Sequence, residues 1–322
     1  MRSYLKGQDI CRDRITRELL NNIGSESSFI KEIGEHILTG DGKLLRPLLF
    51  ILSCKLLGYE HEHIYSLSTV FEYIHVASLL HDDVIDNADT RRNKPSVNNK
   101  WGNHVAILEG DFLYCRALTV ALSTENMRFL KVLARATNEM VEGQLMEIGY
   151  SNNLALTKEQ YMNIIKKKTA SLLSASCECA AIVAEAGTEK EKALKEFGHN
   201  LGIAFQLIDD MLDYISSEEV FGKPVGKDLK EGKVTLPLIY ALQEMREDEI
   251  KRIDQFLREK KDSKKEHEYV LKRVIQTNAI SKTKQDAFSF INKAKESLAI
   301  FNSSPEKEAL IEISNYIIHR NY

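Results

Sequence analysis

Apolar residues recur along most of the chain at three- and four-residue spacing, and alternating runs are few and short, so the pattern predicts helix almost throughout. About twelve helical segments follow, from near Asp9 to the C-terminus. Thr157, with Gln160 three residues on, forms a capping box ahead of a long run from Tyr161 to Ala186. Gly58 follows an apolar helix that opens near Pro47, and Gly187 follows another. Two polar stretches break the periodicity and predict loops: residues 87–103, with one proline, one glycine and five asparagines, and residues 216–233, with Pro224 and several glycines. Residues 251–267, dense in Lys, Glu and Asp, predict a solvated helix pair with no assigned function. Neither a linker nor a repeat of fixed period interrupts the chain, so one all-α domain over residues 1–322 is expected.

Composition agrees with a globular helical protein: 43% of residues are hydrophobic, 28% are charged, and only five prolines interrupt 322 residues. A formal charge of -3 argues against a general nucleic-acid binder, which needs net positive charge, but leaves room for small anions in a local basic pocket. The five cysteines are odd in number and match no zinc or redox spacing, and no signal peptide opens the sequence. Reduced thiols and a cytoplasmic location are expected. The longest strongly apolar stretch, residues 47–57, is cut by Lys55 and is too short to span a bilayer, so any membrane contact would be peripheral.

The candidate chemistry lies in two acid clusters. LLHDDVID carries Asp82, Asp83 and Asp86, and FQLIDDMLDY carries Asp209, Asp210 and Asp213. On a helix the three carboxylates of each cluster fall within an arc of about 100°. They repel one another, and the apolar residues ahead of them imply partial burial, which is costly unless cations neutralise them. Carboxylates without thiols or an imidazole set select a hard cation such as Mg2+, which keeps several waters and shares substrate phosphates. Two such clusters facing each other would bracket a diphosphate. One acid run alone is usually a solvated surface; two copies of D-D-x-x-D behind apolar runs are poorly explained that way.

Basic residues complement the acids. Arg91 and Arg92 follow the first cluster, Lys223, Lys227 and Lys233 follow the second, and Lys43 and Arg46 lie one turn apart at a helix start. Arginine offers planar bidentate donors to phosphate and lysine a mobile point charge. Each alone is an ordinary surface charge; with metal ions they make a site for two diphosphates.

Taken in order, DGKLLRP (41–47), EYIHVASLLHDDVIDNADTRR (72–92), LEGDFLYCRA (108–117), GQLME (143–147), KKT (167–169), FQLIDDMLDY (205–214) and GKPVGKDLKEGKVTLPL (222–238) resemble the motifs of all-trans polyprenyl diphosphate synthases. The likeness covers roughly residues 40–240, and beyond it the chain is similar only in being helical. It implies an isoprenoid-synthase bundle around a deep central cavity, a homodimer, and Mg2+, three ions with substrate bound. Lys43, Arg46, His75 and Arg92 would bind isopentenyl diphosphate. Asp82, Asp86 and Asp209 would be metal ligands, supported by Asp83, Asp210 and Asp213. Arg91, Lys168, Thr169, Gln206, Lys223 and Lys233 would hold the allylic diphosphate. His75 alone would more often be a satisfied core histidine; its place two turns before Asp82 favours the site. The family usually has two glycines before the lysine of the first motif, where this chain has Asp41 and Gly42. Leu44 stands where a basic residue is common, and Trp101 where a smaller aromatic is usual.

Ala77 and Ser78, five and four residues before Asp82, occupy the family's first chain-length gate and are small, which implies a product beyond farnesyl. If the helix starts near Glu62, about 20 residues, or roughly 30 Å, precede Asp82. An extended isoprene unit adds about 4–5 Å. An octaprenyl product is expected within a heptaprenyl-to-decaprenyl range, with Phe50, Phe71 and Tyr73 able to lower that ceiling. Alternatives are a shorter geranylgeranyl or farnesyl product, or a catalytic subunit that needs a small partner. A class I terpene synthase would carry a different second metal motif, a non-catalytic subunit would have lost one cluster, and a structural helical protein leaves six patterned aspartates unexplained.

Overall fold

A computed structural model describes residues 2–39, 42–92, 94–215, 226–259 and 263–320, with side chains from residue 11 onward. The chain runs through α1 (Arg2–Asn21), α2 (Ser28–Leu38), α3 (Leu45–Leu56), α4 (His63–Ile85), a two-residue hairpin of β1 (Thr90–Arg91) and β2 (Lys94–Pro95), α5 (Val97–Trp101), α6 (Asn103–Leu122) and α7 (Met127–Gly149). It continues with α8 (Lys158–Ile165), a π-helical turn (Lys166–Ala170), α9 (Ser171–Val183), α10 (Thr188–Ile215), α11 (Lys227–Lys230) and α12 (Leu236–Leu242). Last come α13 (Glu247–Glu259), α14 (Lys264–Gln276), α15 (Ala279–Ser297) and α16 (Pro305–Ile318). The expected all-α class holds. None of the helices, among the described residues, is long and apolar enough to cross a membrane.

Two compact units divide the chain, each assembled from three separated segments: Met1–Thr137, Leu172–Gly198 and Leu298–Glu312 in one, Asn138–Ser171, His199–Ser297 and Ile313–Tyr322 in the other. In the first unit α4 is buried on most of its circumference and packs against α1, α3, α5 and α6. A helix apolar nearly all round belongs inside a core. The Tyr73 hydroxyl fixes α4 to α1 by donating to the Leu19 carbonyl at 2.5 Å. In the second unit α12 takes the inner place, against α8, α14 and α15.

The capping box at Thr157 and Gln160 forms with both reciprocal bonds. Of residues 251–267, 251–259 lie in α13 and 264–267 in α14, as their charge pattern predicts. The expected unbroken helix from Tyr161 to Ala186 is instead split by the π-helical turn, a bulge that periodicity cannot reveal because apolar spacing continues through it. Residues 87–103 are not all loop. Ser96 accepts from the Asn99 amide and starts α5, whose Val97 is buried, so one cap and one apolar contact outweigh the asparagines. In the second predicted loop, residues 216–225 lie outside the described residues, and α11 follows them.

Candidate active site

In the first unit the acids of α4 divide by environment. Asp83 is 2% exposed, while Asp82 and Asp86 are half-exposed. The hairpin after α4 reverses the chain and brings Arg91 back onto Asp83, its Nε donating to both carboxylate oxygens at 2.8 Å and one Nη at 2.5 Å. A buried carboxylate held by a guanidinium is a structural lock, so Asp83 anchors the loop rather than facing solvent.

Next to this lock, three of the residues expected to bind isopentenyl diphosphate, Arg46, His75 and Arg92, converge. Lys43 is exposed ahead of α3, and Arg46 sits in its first turn. A Cβ on Gly42 would lie 2.6 Å from an Arg92 Nη, so the backbone here rests directly on that guanidinium. The Gly42 carbonyl in turn accepts from Arg12 at 2.8 Å. Leu44 (φ 47°) and Arg92 (φ 50°) both hold left-handed backbone, which side-chain-bearing residues rarely adopt and which gathers at functional sites. Burial, with Arg92 beside it, pushes the Arg46 guanidinium down to about 10 against the opposing pull of Glu72, so it stays charged at neutral pH. Its Nε is buried with no hydrogen-bond partner among the described residues, a donor left over for a ligand. Burial and then the neighbouring Arg46, Arg92 and Arg91 drive the His75 imidazole well below its usual range. It is therefore neutral, able to donate one hydrogen bond and accept another. Glu72, 3% exposed and raised by burial against the pull of Arg46 and Arg92, is a member of this cluster that motif reading overlooked.

In the second unit the three acids of α10 are each held differently. Asp209 is exposed and accepts from the Arg320 guanidinium at 3.2 Å. Asp210 is buried, accepting from Tyr161 and, at 2.6 Å, from the Gln206 amide. Burial raises its carboxyl to about 7, with those two hydrogen bonds opposing and Asp209 adding to the rise. Asp213 caps the N-terminus of α11, accepting from the Lys227 and Asp228 amides at 3.1 and 3.0 Å. Asp228, buried beside Asp213 and Asp210, is raised well above the usual range by burial first and those charges next.

The Thr169 hydroxyl donates to Gln206 Oε1 at 2.7 Å, joining the π-helical turn to α10. From the same turn Lys168 reaches Glu147 at 2.5 Å; Lys233 lies 4.0 Å from Glu147 and 2.6 Å from Glu231. Two lysines expected to hold a diphosphate thus lean on carboxylates. Glu147 lies inside the recognised GQLME motif, yet nothing in the sequence alone names its partners. Lys223 lies outside the described residues. Ala77 is fully buried and Ser78 half-buried, its hydroxyl turned back to the His75 carbonyl. One turn and more below them Phe71, fully buried, packs against Phe50 at 5.3 Å and Phe129 at 6.1 Å between ring centres.

Asp82 and Asp86 of the first unit and Asp209 of the second each keep solvent access, and carboxylate oxygens suit a hard cation. Among the described residues no three His, Cys, Asp or Glu side chains converge as a complete metal cage. Mg2+ characteristically takes one or two carboxylates and completes its shell with water and substrate phosphate.

The polyprenyl synthetase family model matches residues 27–274. The chain is 36% identical over 307 residues to the octaprenyl diphosphate synthase of Escherichia coli, covering 95% of each. It is 33% identical to heptaprenyl diphosphate synthase component 2 of Bacillus subtilis, covering 96% of this chain and 88% of that one. The crystal structure of a Caulobacter crescentus polyprenyl synthase complexed with calcium and isoprenyl diphosphate superposes with a TM-score of 0.94 at 33% identity, covering 98% of this chain and 97% of that one. With its motifs spread over most of the length so matched, the chain belongs to the polyprenyl synthetase family and is a prenyltransferase of the trans-prenyl diphosphate synthase type.

Proposed function

We propose that this protein is a Mg2+-dependent synthase that adds isopentenyl diphosphate units to an allylic diphosphate and releases an octaprenyl chain. The observation that carries this reading is the cluster that Arg46 of α3 and Arg92 of the hairpin form around neutral His75, which lies on α4 two turns before the accessible Asp82. Seven residues separate His75 from Asp82, about 10 Å along a helix, a spacing suited to one diphosphate at each end with the reacting carbons in between.

Arg46, Arg92, Lys43 and His75 would grip isopentenyl diphosphate and aim its double bond. Asp82, Asp86 and Asp209 would hold Mg2+, which supplies charge neutralisation on the departing diphosphate. Arg91, Lys168, Lys223 and Lys233 would add donors there, the lysines turning from Glu147 and Glu231 to the phosphates. Thr169 and Gln206 would present dipoles to the allylic cation. The double bond attacks that cation, and proton loss to the released diphosphate restores the alkene. Neutral His75 withholds a competing proton.

The exposed apolar stripe of α6, with Leu108, Leu118 and Leu122 at 67, 52 and 59% exposure, supports a homodimer. The likeness to a chain named as a component keeps a two-subunit enzyme as the alternative.

The product length has a second reading. From Asp82 to Phe71 is eleven residues, about 16 Å of helix, room for about four isoprene units. The Phe50, Phe71 and Phe129 cluster favours a geranylgeranyl-sized product unless the growing chain pushes past it. Incubation of the purified chain with Mg2+, labelled isopentenyl diphosphate and farnesyl diphosphate, then chromatography of the dephosphorylated products, decides. A ladder ending near forty carbons is expected; one ending at twenty supports the shorter reading, and no incorporation with any primer sinks the self-sufficient enzyme.

A further inference from the structure

Of the three acids on α10, two are fixed by groups close by in the second unit: Asp210 by Tyr161 and Gln206, Asp213 by the amides of α11. Asp209 is fixed by a residue over a hundred positions away. Arg320, two residues beyond α16, directs an Nη to Asp209 Oδ1 at 3.2 Å, and its guanidinium carbon lies 4.5 Å over the ring of Phe205. Phe205 and Asp209 are four residues apart, so the guanidinium lies along one face of α10, stacked on one side chain and bonded to the next. The two partners differ sharply in environment: the Arg320 side chain is 2% exposed and that of Asp209 52%. An ion pair with one half in solvent adds little stability, whereas burying a guanidinium costs several kcal/mol. Stability is a weak reason for this pair.

We propose that Arg320 is a positioning residue for Asp209, holding Oδ1 so that Oδ2 faces the cation that accompanies the diphosphate. Oδ2 takes no hydrogen bond among the described residues, and the buried guanidinium is fixed where it is while the carboxylate stays open to solvent. Outer-sphere partners of ligating carboxylates orient them in this way, and their loss typically weakens metal affinity about 10–100-fold. The opposite role, a cation standing in the metal's place and displaced by it, predicts the opposite sign. The inference rests on the proposed reading of Asp209 as a metal ligand.

The test is Mn2+ binding, followed by electron paramagnetic resonance, to the full chain in the presence of inorganic diphosphate. Wild type, Asp209→Asn, Arg320→Ala, Arg320→Lys and the double variant Asp209→Asn/Arg320→Ala would be compared, with thermal midpoints measured alongside. Arg320→Ala is expected to need about tenfold more Mn2+ for half-saturation, Arg320→Lys to recover part of the loss, and the double variant to bind no worse than Asp209→Asn alone. If Arg320→Ala does not fold, Arg320→Lys and Arg320→Gln carry the comparison. Should Asp209→Asn bind Mn2+ like wild type, the ligand reading of Asp209 fails and this inference with it. Should Asp209→Asn weaken binding while loss of Arg320 leaves it unchanged, tightens it, or adds fully in the double variant, the positioning role alone is overturned.

Discussion

A Cβ on Gly143 would lie 2.4 Å from the backbone nitrogen of Lys168, so α7 and the π-helical turn touch backbone to backbone where any side chain would collide. The turn carries both Lys168 and Thr169, and its position depends on that absent methyl. Gly143→Ala should cost about 1–3 kcal/mol through overpacking. It should raise KM for the allylic diphosphate more than for isopentenyl diphosphate. Denaturant titration and the two KM values check this; equal KM changes would show that the turn does not depend on the contact.

Asp82 and Asp83 are adjacent in sequence but opposite in environment. Asp82→Asn should lower kcat about 10²–10³-fold with little change in thermal midpoint, as loss of an electrostatic stabiliser does. Asp83→Asn should act mainly on stability, because it leaves Arg91 without its buried partner. Comparing kcat and melting for the pair checks the assignment, and identical profiles would refute it.

Arg46 combines an unmatched buried donor with a nearby buried Glu72. Arg46→Gln is expected to raise KM for isopentenyl diphosphate at least about tenfold, since a hydrogen bond to a charged group contributes about 1.5–3 kcal/mol. KM for the allylic substrate should move much less. Initial-rate kinetics with each substrate varied in turn separates the two.

Phe71 occupies the same face of α4 as Asp82, three turns away, and fills its space against Phe50 and Phe129. Phe71→Ala is expected to shift the product distribution to longer chains under the geranylgeranyl-sized reading and to leave an octaprenyl distribution as it is, at a stability cost of about 3–5 kcal/mol. Chromatography of the products checks it; an unchanged distribution would place the floor elsewhere.

Glu109 on α6 is 4% exposed, its Oε1 lacks a hydrogen-bond partner among the described residues, and burial pushes its carboxyl up to about 7. The folded state therefore holds a proton that the unfolded state, titrating near 4.5, has released. Stability from this group is full below about 4.5 and is lost as pH rises through 7. Replacing it by Leu should stabilise the protein at pH 8 relative to pH 5, by on the order of 2 kcal/mol after allowance for partial solvation. Unfolding curves of both proteins at the two pH values test the sign.

The sequence by itself determined the helical class, the motif order, the family and the identity of the acids and bases. Each depends on local spacing or residue type, and the α4 boundary near Glu62 and the capping box at Thr157 were legible for that reason. Tertiary structure decided which of these groups are spent inside the protein. Asp83 and Asp213 look like Asp82 and Asp209 in the motif, yet Arg91 and the α11 amides take them up, because burial and partners come from segments folded back across the chain. The partners of Glu72, Glu147 and Arg320 were hidden for the same reason: only packing brings a charge from elsewhere in the sequence within reach of another.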